Sequence, residues 1–268
     1  MAELKGPFQF TGSLGNLRSY YNSTLKRYIL STKGGASKEL IYNNPAFART
    51  RENMQEFKAC GKWASQMRKS LDSIENLHAG YYFADIIALG KSIQKHDEVN
   101  YRGFRSIESS KASNQLLQIN FNKIHPFERV FSHWFATDFS EDKRTVTLTI
   151  SDFKSFFRLN WPARYSLYRF ALVIAQLPDF VWKESDRAYG PVVEDMELLS
   201  KTTFSDWISR SADPRTVTLS ASFTEPALQQ PGTTVIVALG VEVTAASSGS
   251  ATLLTRGSGT MKIVQCYV

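Results

Sequence analysis

Arg144-Thr145-Val146-Thr147-Leu148-Thr149-Ile150 is nearly repeated as Arg215-Thr216-Val217-Thr218-Leu219-Ser220-Ala221. In each copy an apolar side chain alternates with Thr or Ser. A strand sends successive side chains to opposite faces, so this alternation spells a strand with one buried and one wet face. Each copy is followed by a polar stretch, a proline (Pro162, Pro231) and a long apolar strand. The repeat predicts a duplicated hairpin unit; the plain alternative is that alternating strands converge by chance. Val146, Leu148, Ile150, Val217, Leu219 and Phe223 are expected to face the core.

Further strands are expected at Tyr165–Leu177, at Thr260–Val268 and through Val235, Val237, Leu239, Val241 and Val243, with a shorter extended piece at Leu117–Asn122. Turn signals at Trp161-Pro162, Asp213-Pro214, Pro231-Gly232, Ser248-Gly249 and Gly257-Ser258-Gly259 separate them. Several strands at such spacing predict an antiparallel sandwich or barrel.

Upstream the period changes. Asn44 and Pro45 read as an N-cap and a first helical residue. Beyond them Met54, Phe57, Gly61, Ala64, Met67 and Leu71 recur every three or four residues, which predicts an amphipathic helix. Arg51, Lys58, Lys62 and Lys69 fall on one line outside that arc and form a basic ridge, whose ordinary reading is a solvated face. A second helix is expected from about Ile74 to Lys95, with Asp72 and Glu75 as a capping box and Tyr81–Leu89 buried between other elements. Residues 1–42 look extended, with glycines at Gly6, Gly12, Gly15, Gly34 and Gly35 around the runs Leu17–Tyr21 and Tyr28–Thr32. They read as a β-arm or hairpin with little core of its own.

The chain is therefore expected to be α+β. A Gly-rich basic extended arm (1–42) comes first, then a helical region of two or three helices (43–112), then an antiparallel β-sandwich-like domain (113–268). With 268 residues, 43% of them hydrophobic and 13% aromatic, the chain can bury a substantial core.

Charge is placed unevenly. Residues 1–70 hold seven Lys and five Arg against four Glu, a net +8, while the rest of the chain carries −1. Such asymmetry points to a polyanion or an acidic partner surface, or serves solubility. Aromatics interleave with basic residues at Arg18, Tyr20, Tyr21 and at Lys26, Arg27, Tyr28, a pattern able to stack on bases and neutralise phosphates. No recognised nucleic-acid signature accompanies it, so any such binding would ignore base sequence.

Catalytic constellations are missing from the sequence. There is no Gly-rich phosphate loop, no Gly-x-Ser-x-Gly elbow and no His-Glu-x-x-His. His125 and His133 lie among aromatics and read as packing residues, because a metal site needs three or four converging ligands. Asp138, Glu141 and Asp142 read as a solvated turn, and Asp179, Glu184 and Asp186 as loop charges. Cys60 and Cys266 are far apart and read as small buried hydrophobes. No cofactor is expected. No apolar run reaches the ~18 residues that a membrane helix needs. No signal-peptide pattern opens the chain, which gives an expectation of a cytoplasmic protein or a component of a virion-like particle.

The run Phe10-Thr11-Gly12-Ser13-Leu14-Gly15-Asn16-Leu17 is followed by a tyrosine pair, a Lys-Gly-Gly and then Asn44-Pro45-Ala46-Phe47-Ala48-Arg49-Thr50-Arg51-Glu52-Asn53. This pattern, with Val146–Phe153, Val235–Val243 and Met261-Lys262-Ile263-Val264, resembles an uncharacterised family of proteins from Bacteroidota and their mobile elements. The resemblance spans most of the chain and implies a helical N-terminal part with a β-sandwich-like remainder in a bacterial or phage setting. That family has no assigned activity, so it lends no functional residues. The resulting expectation is a non-enzymatic structural protein that self-assembles into a filament, tubule or virion-like particle. Its arm, through Leu17, Tyr20, Tyr21, Tyr28 and Ile29, would add to a neighbour's sheet edge. The alternative is a nucleic-acid-associated protein using Arg18, Lys26, Arg27, Arg51, Lys58, Lys62 and Lys69.

Overall fold

The computed structural model describes residues 2–3, 6, 9–193, 200–211, 214–228, 231–245 and 257–268. The chain divides into two compact units, Met1–Arg51 and Glu52–Val268.

In the first unit β1 (Ala2–Glu3), β2 (Gly12–Leu14), β3 (Leu17–Asn22) and β4 (Arg27–Thr32) form an antiparallel sheet in the order β1-β4-β3-β2. The β3–β4 turn is made by Asn22, whose Oδ1 accepts from the N–H groups of Thr24 and Leu25 at 3.0 and 2.9 Å, with Lys26 at φ 48°. Asn bonding its own backbone two and three residues on is a common way to close such a turn. Helix α1 (Lys38–Asn43) is capped by Ser37, whose Oγ accepts from Leu40 N. Asn44 caps as expected, but what it caps is a short 3-10 turn, Pro45–Phe47. The long helix α2 (Ala48–Ser70) follows that turn.

The second unit continues α2 and adds α3 (Tyr82–Gln94), α4 (Ser113–Leu116), α5 (Phe127–Val130), β5 (Ala136–Phe139), β6 (Thr145–Phe153), α6 (Ser155–Arg158), β7 (Leu167–Pro178), β8 (Phe180–Lys183) and β9 (Ala188–Pro191). It closes with β10 (Ser200–Phe204), β11 (Ile208–Ser209), β12 (Arg215–Ser222), β13 (Thr233–Thr244) and β14 (Gly259–Tyr267). One sheet runs β10-β7-β13-β14, with β11 also on β7; a second runs β12-β6-β5; β8 and β9 form a separate ribbon.

The larger sheet is covered on both sides. Ala171, Val173, Ala175, Ile236, Ala238, Met261 and Ile263 share a core with Trp63, Met67 and Ile86 of the helices. Phe170, Leu172, Ile174, Val235, Val237 and Leu239 share a second core with Val146, Leu148, Ile150, Val217 and Leu219 of the smaller sheet. Double coverage explains why β7 and β13 read as nearly unbroken apolar runs, while β6 and β12, buried on one face, alternate. The helices and the sandwich therefore belong to one three-layered unit.

The six residues expected to face the core are all buried. The echo segments β6 and β12 are adjacent antiparallel strands, and Leu148 lies opposite Leu219, its own counterpart in the repeat. The long strands after them, β7 and β13, also pair antiparallel, with Leu172 opposite Leu239. This is the arrangement two copies of a unit adopt about a two-fold axis. Within each copy the two strands lie in different sheets, so the unit is a crossover between layers and not a hairpin.

The helical region departs from the expectation in phase. Glu56, Ala59, Cys60, Trp63, Ala64, Met67 and Ser70 are buried on α2, whereas Met54 and Phe57 are exposed. The second helix begins at Tyr82, not at Ile74; Asp72–Leu77 is a 3-10 turn and Ala79 bridges to Asn122. The Asp72 side chain of the expected capping box lies outside the described residues. Leu117–Asn122 contributes such isolated bridges and no strand. Leu77 drops from the 3-10 turn into a notch floored by two glycines. A Cβ at Gly259 would lie 2.5 Å from Val241 O and 2.7 Å from Leu77 Cδ2. The nearer atom is backbone and cannot yield, so Gly259→Ala is expected to cost about 1–3 kcal/mol by overpacking. Urea denaturation checks this: the midpoint should fall at unchanged slope.

Candidate assembly surface

Paired residues in an antiparallel sheet lie side by side on one face. The register of the N-terminal sheet sets Leu17 opposite Thr32, Ser19 opposite Leu30 and Tyr21 opposite Tyr28. It also sets Leu14 opposite Leu17. Leu14, Leu17, Tyr21, Tyr28 and Leu30 therefore ring Ser19 on one face. The other face carries Arg18, Tyr20, Asn22, Arg27, Ile29 and Glu3. Thus one face is mostly apolar, while the other mixes charged and polar groups with Tyr20 and the buried Ile29.

Little in the sheet is buried. Among its described strand residues Ser19 and Ile29 are buried, while Leu14 is 69% exposed, Tyr21 50% and Leu17 39%. Tyr21 and Tyr28 meet edge to face at 5.2 Å. The Ser19 hydroxyl is enclosed and has no hydrogen-bond partner among the described residues. Of the residues expected in the assembly arm, Leu17, Tyr21 and Tyr28 share the apolar face; Tyr20 and Ile29 do not. Leu14 and Leu30, not singled out from the sequence, complete the face. Alternation within the two expected runs would have found Leu30, but Leu14 is placed only by the β2–β3 turn.

The arm's backbone corrects one expectation. Leu17–Tyr21 and Tyr28–Thr32 pair with each other, so the N–H and C=O groups that each turns toward the other already have partners. The arm also leaves a side-chain face open.

The seven basic candidates divide between the two units, Arg18, Lys26, Arg27 and Arg51 in the first and Lys58, Lys62 and Lys69 in the second. Arg18 lies over the Tyr20 ring at 5.3 Å, and Arg27 forms a 3.3 Å ion pair with Glu3. Arg51 is half-buried and donates to the Ile41 and Asn44 carbonyls at 2.7 and 2.9 Å, tying α1 to the start of α2. Lys62 donates to the Tyr189 carbonyl at 2.9 Å. Lys58 and Lys69 are exposed. Two of the four ridge cations thus have structural work.

The most concentrated set of ionised groups is buried and satisfied. The Glu56 carboxylate, wholly enclosed, accepts from Arg105 Nε and Nη2 at 2.7 Å each, from Gly103 N at 2.9 Å and from Lys91 Nζ. Burial alone would raise this carboxyl, but the hydrogen bonds from Arg105, Lys91 and Gly103 outweigh it and hold the pKa at about 2. Tyr189 donates its hydroxyl to the Gly103 and Arg105 carbonyls. This network clips the 97–106 loop to α2 and α3.

Burial pushes the Cys60 thiol to about 11 and the Cys266 thiol to about 12, so neither is a ready nucleophile. His125 packs on Trp161 and His133 bonds the Ser151 carbonyl. Asp179 is not the solvated loop charge expected: it is buried and accepts from Ser109 Oγ and Ser110 N at 2.9 Å, and burial raises its pKa. Among the described residues no group of three His, Cys, Asp or Glu is placed to hold a metal ion, and no helix is long and apolar enough to cross a membrane. No family model, no curated protein and no solved structure matches this chain.

Proposed function

We propose that the chain is a non-enzymatic structural protein that assembles with copies of itself through the apolar face of its N-terminal sheet. One observation carries this reading: a four-stranded sheet that leaves Leu14, Leu17 and Tyr21 exposed on one mostly apolar face. A single sheet gains stability by burying its apolar face against another layer. A second copy of the same face supplies that layer, since two sheets pack face to face about 10 Å apart. The same patch on both partners makes an isologous contact.

The double change Leu17→Glu/Tyr21→Glu tests it. Charges on the face are expected to lower the particle mass in light scattering, with the far-ultraviolet circular dichroism of the second unit retained. An unchanged particle mass overturns the reading.

A second reading, sequence-independent nucleic-acid binding, has the +8 of residues 1–70 and the Arg18–Tyr20 stack behind it. It predicts a mobility shift on single-stranded DNA that weakens steeply with salt. Changing Arg18, Lys26 and Arg27 to Glu would abolish that shift without altering the particle mass.

A further inference from the structure

β12 is the outer strand of the smaller sheet, paired with β6 on one side. Its register sets Val217, Leu219 and Ala221 opposite Ile150, Leu148 and Val146, and Phe223 N donates to Arg144 O at 2.9 Å. In an antiparallel ladder alternate residues turn both backbone groups toward the partner. Counting back in twos from Phe223, the residues facing β6 are Ala221, Leu219 and Val217. The N–H and C=O groups of Thr218 and Ser220 therefore point out of the sheet. No backbone group of a described residue bonds them.

Open edges are usually guarded by shortness, Lys, Pro, an acidic residue or a covering segment. β5 has four residues including Asp138, and β10 has five including Lys201. The outer side of β14 is met by residues 120 and 121, through the Asn120–Lys262 bridge and the Phe121 N to Met261 O bond. β12 has eight residues, with neither Lys, Pro nor acid, and its lone charge, Arg215, stands at one end. A groove of about 440 Å³ runs beside it, walled by Thr203–Asp206 and Ile208 on one side and Arg215–Ser220 on the other.

We propose that this edge pairs antiparallel with β12 of a second copy. The strand is self-complementary about Leu219. In that register Thr218 meets Ser220 of the second copy, so the outward backbone groups of each match those of the other. Leu219 meets Leu219 and Val217 meets Ala221, which carries the buried core of one sandwich into the next. On the wet face Thr and Ser meet Ser and Thr. The same ladder already operates toward β6, where Thr145 and Thr147 hydroxyls lie 2.9 and 3.1 Å from those of Ser222 and Ser220. Arg215 falls opposite Phe223, so no like charges meet.

This extends the reading of the chain as self-assembling, and it stands on a different element. Two isologous contacts on one chain, the N-terminal face and the β12 edge, link copies beyond a dimer, into a closed tetramer or an open row.

Thr218→Pro removes an outward N–H and leaves every bond to β6, a substitution that edge strands tolerate. Leu17→Glu/Tyr21→Glu chains should remain dimers held by β12, and adding Thr218→Pro should lower their mass by about half, to the monomer. If the Leu17→Glu/Tyr21→Glu chain is already monomeric, the β12 pairing is wrong and the sheet-face reading stands. If that double change has no effect while Thr218→Pro reduces the mass, the sheet-face reading is wrong and the β12 pairing stands. Hydrogen exchange of the unmodified chain gives a check free of any folding defect. The Thr218 and Ser220 amides should slow by at least about tenfold between dilute and concentrated protein. Equal exchange at every concentration overturns the pairing.

Discussion

Glu56→Ala is expected to destabilise the second unit by about 3–5 kcal/mol, because it leaves the Arg105 and Lys91 cations facing a buried hole. The carboxylate is the common acceptor of both cations and of Gly103 N, so its loss also frees the loop that Arg105 and Gly103 anchor. Lys91→Met should cost less, since Arg105 still holds the carboxylate from two nitrogens and Lys91 is partly exposed. The same pair of charges sets a pH dependence. The folded pKa of Glu56 lies at about 2, below its ordinary value of 4.5. A depressed carboxyl contributes stability that is fully present above 4.5 and is lost as pH falls toward 2. Urea midpoints measured across that interval should fall in the unmodified chain and fall less in Glu56→Ala. Parallel curves would show that Glu56 is not the titrating anchor.

Phe153→Ala is expected to cost a similar amount, about 3–5 kcal/mol, from lost burial and the cavity left behind. Phe153 ends β6 fully buried, with ring centroids of Phe170, His133, Phe131 and Tyr168 at 5.2, 5.5, 5.6 and 5.8 Å. It joins both sheets to the segment around α5, so its removal should loosen more than one layer. Phe157→Ala is the control: that side chain is 73% exposed, and its loss should fall within about 0.5 kcal/mol. Equal losses for the two would contradict the assignment of the aromatic core.

The strands were legible because their burial is regular. Alternation in Val146–Ile150 and Val217–Ala221 marks a strand buried on one face, and the unbroken runs of β7 and β13 mark strands buried on both. The pairing of one echo with the other was not legible, since periodicity gives a strand's faces but not its neighbour. The phase of α2 was misread because one of its inward positions is an acid. Glu56 in a basic helix looks like a surface residue, and its partners Lys91 and Arg105 are remote in the chain. Met54 and Phe57 then drew the apolar arc the wrong way. Asp179 was misread for the same reason, its serine partners lying far upstream. In the arm, the two runs were found but the apolar face was not, because it depends on the Asn22–Lys26 turn fixing the register. The open edge of β12 was likewise invisible until its pairing with β6 assigned which backbone groups face outward.

Self-assembly is tested most directly by the mass of the unmodified chain. Multi-angle light scattering over a wide range of protein concentration is expected to give masses well above the 30.3 kDa of one chain, falling toward it on dilution. A constant 30.3 kDa up to the highest concentration reached would contradict the account.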